Sequence, residues 1–203
     1  MKQVYRSRTA FVLGWVWLGF VALNVWDLTA RYSGKASLVA LAVLGMLTAL
    51  VYTVALRPAT VFTEAGLVGR NPFRTTFLPW ATIEDVTVSH SVNIHHGDGQ
   101  VLRLWTPMSS ARERAKAQRR GTSTPQRGRF KTEPTLTKGE QAAAEAFAGK
   151  THADWVGDQI RERAESARRR GDEAAPARVT WSYDAIAVLV VGVALVLAAV
   201  VIP

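Results

Sequence analysis

Three uncharged apolar runs limit what this chain can fold into. Residues 9–26, 36–56 and 185–203 contain no Asp, Glu, Lys or Arg. Each is close to the roughly 20 residues a helix needs to cross about 30 Å of hydrocarbon. A chain of 203 residues is too short to bury three such helices in a water-soluble core. All three are therefore read as transmembrane helices. The overall apolar content of 48% looks like that of a soluble protein only because the charges are concentrated between the runs.

The first run follows a basic start, Lys2, Arg6 and Arg8, as a signal peptide would. It is long, contains Trp15 and Trp17, and lacks an Ala-x-Ala cleavage site, so it is read as an uncleaved anchor. Orientation follows the basic residues. The connector of residues 27–35 holds only Arg31 and Lys35, offset by Asp27, whereas the chain beyond residue 56 carries all but five of the 25 Lys and Arg. A multi-pass protein of the cell membrane is expected, with its N-terminus and middle segment cytoplasmic and the connector and Pro203 outside. Trp26 and Tyr32 suit the outer interface, and Trp181 and Tyr183 the inner one. The net charge of +9 suits an anionic partner, but positive-inside topology alone would also produce it.

Between the second and third runs the pattern changes to short strands. Residues 60–63, 67–70 and 74–80 are rich in Thr, Val and Phe and are separated by Glu64-Ala65-Gly66 and Asn71-Pro72. Gly66 is expected to adopt a positive φ in its turn. Trp80-x-x-Ile83-x-x-Val86 fits one helical or 3₁₀ turn entering a core. Strands at 85–89, 92–96 and 100–105 follow, the last two joined by Gly97-Asp98-Gly99. Residues 153–170 place Trp155, Val156, Ile160, Ala164 and Ala167 on one face of an amphipathic helix. The expected domain core is Leu67, Phe77, Trp80, Ile83, Val86, Leu102, Leu104 and Trp155. The fold class is thus three transmembrane helices plus a mostly-β barrel closed by a C-terminal amphipathic helix, the outline of a pleckstrin-homology-like (PH-like) barrel.

The run Glu-x-Gly-Leu-x-x-Arg-Asn-Pro-x-Arg-Thr, then Pro-Trp-x-x-Ile-x-x-Val, spans residues 64–75 and 79–86. It resembles the bacterial PH-domain membrane proteins of the low-molecular-weight protein antigen type, which often carry two transmembrane helices ahead of the domain. The resemblance covers residues 57–105 and the two anchors. It implies a PH-like fold on a membrane anchor and carries no agreed activity. The departures are a basic insertion after Trp105 and the third anchor. Phosphoinositide-binding PH domains cluster Lys and Arg around the first hairpin; here that hairpin has Arg70 and Arg74, opposed by Glu64, so specific inositol-phosphate recognition is not supported. The resulting division is a two-helix anchor at 1–56, a PH-like β domain at 57–105, the basic insertion at 106–134, a helical closing segment at 135–178 and the third anchor at 181–203.

The insertion contains Arg112, Arg114, Lys116, Arg119, Arg120, Arg127, Arg129 and Lys131 against Glu113 and Glu133. Its Gly, Ser, Thr and Pro content predicts disorder. Its functional reading is contact with anionic lipid headgroups, at about 1 kcal/mol per basic residue that reaches the surface. Its plain reading is a solvated loop that only sets topology. Nucleic acid is disfavoured, because Phe130 is the one aromatic available for base stacking.

No catalytic motif, P-loop, dinucleotide fingerprint or His-Glu-x-x-His occurs, and the absence of Cys excludes thiolate chemistry. His90, His95, His96 and His152 are read as turn-adjacent surface residues, with no metal and no cofactor implied. The sequence therefore predicts a non-catalytic membrane protein that presents a PH-like domain for binding or scaffolding at the inner membrane face. The alternative is an accessory subunit of a larger membrane complex, with an unknown protein partner.

Overall fold

The computed structural model describes residues 2–97, 99–122 and 149–201, with the side chains of 120–122 left aside. In chain order the elements are β1 (Gln3–Tyr5), α1 (Arg8–Ala30), α2 (Lys35–Val51) continuing into a π turn (Tyr52–Leu56), β2 (Ala59–Phe62), β3 (Gly66–Arg70), β4 (Arg74–Pro79), a 3₁₀ turn (Trp80–Thr82), β5 (Ile83–Val88), β6 (Ser91–His96), β7 (Gln100–Met108), α3 (Ala111–Thr122), α4 (His152–Arg170), β8 (Arg178–Trp181) and α5 (Tyr183–Val201). The chain divides into two compact units: Met1–Pro79 with Pro176–Pro203, and Trp80–Ala175.

In the first unit, Arg8–Ala30, Lys35–Leu56 and Tyr183–Val201 are each long and apolar enough to cross a membrane. Their outer surfaces are apolar: Leu23 is 73% and Trp26 75% exposed. Surface of that kind suits lipid rather than water. The helices approach through small residues, as helices in lipid do. A Cβ on Gly14 of α1 would lie 2.4 Å from Leu56 Cδ2, and one on Gly192 of α5 would lie 2.9 Å from Met46 Sδ of α2. Trp17 Nε1 donates to Thr48 Oγ1 at 3.3 Å, tying α1 to α2.

The same unit holds a five-stranded antiparallel sheet in the order β1-β2-β3-β4-β8. All four residues of β2 are buried. Val61 faces Val68, and Leu67 faces Leu78. Thr63 closes the β2–β3 turn, its Oγ1 accepting from the Gly66 N–H at 3.1 Å and donating to the Gly66 carbonyl at 2.6 Å. Gly66 is not among the glycines of positive φ, contrary to expectation. Its requirement is close approach: an added Cβ would lie 2.2 Å from the Leu78 carbonyl oxygen. The two edge strands, β1 and β8, were not expected from the sequence. Both are short, and both lie against a membrane-length helix whose signal dominates the local pattern.

The second unit is a three-stranded antiparallel sheet, β5-β6-β7, with α4 packed on it. Thr151 and Asp154 form a reciprocal capping box at the start of α4, and Gly171 ends the helix at φ 75°. The buried face of α4 is Val156, Ile160, Ala164 and Ala167, spaced three to four residues apart as a core-facing stripe requires. Gly157 allows the sheet to come close, since a Cβ there would lie 2.5 Å from Val88 Cγ2. Arg161 reaches the Val86 carbonyl. The 3₁₀ turn at Trp80–Thr82 fulfils the Trp-x-x-Ile-x-x-Val expectation, with Trp80 buried and the Arg163 guanidinium 5.6 Å from its ring.

Two further expectations are corrected. The strands form two hydrogen-bonded sheets instead of one closed barrel. The segment expected to be disordered from residue 106 continues β7 to Met108 and then forms α3. Ser110 and Glu113 explain the helix: Glu113 Oε2 accepts from the Ser110 N–H at 2.8 Å, and Ser110 Oγ from the Glu113 N–H at 3.1 Å. This Ser-x-x-Glu capping box satisfies two N–H groups that a helix start leaves open. The remainder of the insertion, 123–134, lies outside the described residues, as does the 135–148 part of the closing segment.

Candidate functional site

Of the expected core, Leu67, Trp80, Ile83, Val86, Leu102 and Leu104 are buried, whereas Phe77 and Trp155 are half-buried. Phe62, Leu78, Val92, Ile94, Val156 and Ile160 are as deeply buried.

The eight basic residues of the insertion do not stand alike. Arg112, Lys116 and Arg119 lie along a groove of α3 together with Glu113. Arg114 is turned inward, with Nε and Nη2 each 3.0 Å from Ser109 Oγ. Arg127, Arg129, Lys131 and the Arg120 side chain fall outside the described residues. The two hairpin cations also separate. Arg74 lies 4.5 Å over the Trp181 ring, its cross-strand partner, while Arg70 lines a groove with Arg6 and Arg57.

The histidines are spread out. His90 is exposed, His95 Nε2 lies 3.3 Å from Thr87 Oγ1, and the His152 ring stacks on Trp155 at 6.0 Å. His96 is buried rather than on the surface. Burial pushes its imidazole below the ordinary pKa, and the nearby Glu84 pulls the other way. Among the described residues no group of three or more His, Cys, Asp or Glu is arranged to hold a metal ion.

A polar junction that the sequence reading did not single out joins the long helices to the sheet. Arg57, at the end of the π turn, is only 11% exposed at its side chain. Its Nε donates to Asp184 Oδ2 at 2.9 Å, its Nη1 to the Asn71 carbonyl at 2.6 Å and its Nη2 to Thr75 Oγ1 at 3.3 Å. Tyr52 Oη donates to the same Asp184 oxygen at 3.1 Å. One planar guanidinium thus connects α2, α5 and the β3–β4 turn, a use of its fork that a lysine could not copy. The available signal was positional: Arg57 follows the second apolar run immediately and Asp184 precedes the third.

Six strands, β2 to β7, followed by the packed helix α4 define a PH-like module, carried in a chain with three membrane-length helices. The chain belongs to the bacterial PH-domain family: the family's model, described as "Bacterial PH domain", matches residues 57–173, more than half of the sequence. The match runs through α3 and α4, well past the end of the motif at Val86. β1 and β8 lie outside it. Neither the curated proteins nor the solved structures gave a match. PH domains are in general interaction modules, not catalysts.

Proposed function

We propose that this protein is a non-catalytic integral membrane protein that holds its PH domain at the cytoplasmic face of the cell membrane, for binding or scaffolding there through anionic lipid. The observation that carries this reading is that every membrane-length helix adjoins a strand of one sheet. β1 ends at Tyr5 and α1 begins at Arg8; the π turn ends at Leu56 and β2 begins at Ala59; β8 ends at Trp181 and α5 begins at Tyr183. A sheet fused to three spans cannot leave the bilayer surface without unpairing its edges. The pairing of β1 with β2 also supports this reading, since two intervening spans would return the chain to the side of the N-terminus. The excess of Lys and Arg beyond residue 56 supports the cytoplasm as that side.

Within this reading, Arg112, Lys116 and Arg119 of α3, with the basic residues that follow, meet anionic headgroups. The chain has no cysteine, so a single Ala115→Cys label on α3 reports one place. In the full chain reconstituted with phosphatidylglycerol, quenching of that label by lipid-borne quenchers should fall at high salt. It should also fall when Arg112, Lys116 and Arg119 are replaced by Gln, with about 1 kcal/mol lost per charge. Quenching indifferent to salt, to phosphatidylglycerol and to the substitutions would remove the lipid role of α3.

A further inference from the structure

Among the grooves of the unit that contains the long helices, two share a wall. One, of about 460 Å³, is apolar and follows α1 and α2 past Leu18, Val21, Leu41 and Gly45. The other, of about 520 Å³, is polar and is lined by Arg6, Arg57, Arg70, Thr75, Thr180 and Asp184. Tyr52 and Leu56 border both. They are the first and last residues of the π turn, where the Arg57 N–H reaches back five residues to the Tyr52 carbonyl at 2.9 Å. Single π turns recur at functional sites.

The polar groove lies at one end of the sheet. Arg70, Thr75 and Thr180 are neighbours in a single cross-strand row, and Arg6 directly follows Tyr5, the last paired residue of β1. Three guanidinium groups face one carboxylate there. Asp184 is taken up by Arg57, which is also bound to Asn71 and Thr75. Among the described residues, neither Arg6 nor Arg70 is in a salt bridge; the Arg6 guanidinium lies 5.6 Å from the centre of the Phe11 ring. An excess of two positive charges beside an apolar groove fits a molecule with an anionic head and a hydrocarbon tail. Arginine binds phosphate with paired, charge-assisted hydrogen bonds. A free phosphate has no use for the apolar half.

We propose that the joined grooves hold one anionic glycerophospholipid, its phosphate at Arg6 and Arg70 and an acyl chain along α1 and α2. The site shares no residue with α3, and it rests on the reading of the three helices as membrane spans. The bound lipid brings a counter-charge to the end of the sheet where the spans enter it.

The test is native mass spectrometry of the full chain released from mild detergent, with phosphatidylglycerol, phosphatidylcholine or inorganic phosphate added. The chain should retain phosphatidylglycerol on the order of tenfold better than phosphatidylcholine. R6Q combined with R70Q should abolish that preference, while R6K with R70K should keep part of it. Gly45→Leu fills the apolar groove, and a Cβ there meets nothing within 4 Å; it should weaken retention of both lipids. The thermal midpoint of each variant checks that it is folded. Inorganic phosphate should not displace phosphatidylglycerol; displacement together with indifference to Gly45→Leu would mean a free-anion site and overturn the proposal. Equal retention of both lipids, unaffected by R6Q/R70Q, would overturn it too. Failure of the span reading has its own signature, a chain that stays dispersed in buffer without detergent. Loss of the lipid only in the Arg112, Lys116 and Arg119 variant would locate the contact in α3 and also overturn the groove.

Discussion

At the scale of single residues, the most informative departure from expectation is His96. Alternation along β6 puts His95 and His96 on opposite faces, and the structure buries His96 rather than leaving it in solvent. Its folded-state pKa lies below the ordinary value of 6.5 because burial disfavours the imidazolium. The unfolded chain therefore takes up the proton first as pH falls. Stability is undiminished above about pH 6.5, falls as pH drops through that value toward the lower folded pKa, and then levels off. Unfolding midpoints measured from neutral to mildly acid pH should show this loss, and His96→Gln should flatten it. An equal slope in the variant would assign the acid sensitivity to other groups. Arg57 teaches the complementary lesson. Its position after an apolar run marks topology, but its partners Asn71, Thr75 and Asp184 are distant in sequence, and nothing local announces that they converge.

At the scale of elements, legibility tracked the strength of the local period. The long apolar helices, the 3₁₀ turn at Trp80 and the amphipathic α4 all have long or sharply spaced apolar patterns, and each stands within a few residues of its expected place. β1 and β8 have three and four residues, too few to show alternation beside a long apolar run. α3 was obscured by composition, since its charge-rich sequence reads as disorder unless the Ser110-x-x-Glu113 box is weighed. Gly66 was assigned the wrong physical reason: a turn glycine suggests backbone freedom, whereas this one makes room for the neighbouring strand. The distinction can be measured. Gly66→Ala should destabilise the purified protein by about 1–3 kcal/mol, because the methyl meets backbone that cannot rotate away. Gly19→Ala in α1, where an added Cβ meets nothing within 4 Å, should be neutral or slightly stabilising. Equal effects of the two would contradict the close-approach account.

At the scale of the whole molecule, the PH domain's first three strands are enclosed by strands that adjoin the long apolar helices. An exposed strand edge is a pairing hazard, and here β1 covers β2 while β8 covers β4. The motif at residues 64–86 pointed to the family, and the family match extends through residue 173. The arrangement into two sheets was beyond the sequence, because strand partners depend on contacts between segments far apart in the chain. The central claim is that the spans hold this domain at the cytoplasmic face, and topology tests it most directly. In the cysteine-free chain, a single cysteine at Tyr32 in the connector or at Gln100 in the domain can be probed with a membrane-impermeant maleimide on intact and permeabilised cells. The account predicts labelling of Tyr32→Cys in intact cells and of Gln100→Cys only after permeabilisation. Labelling of Gln100→Cys in intact cells would contradict it.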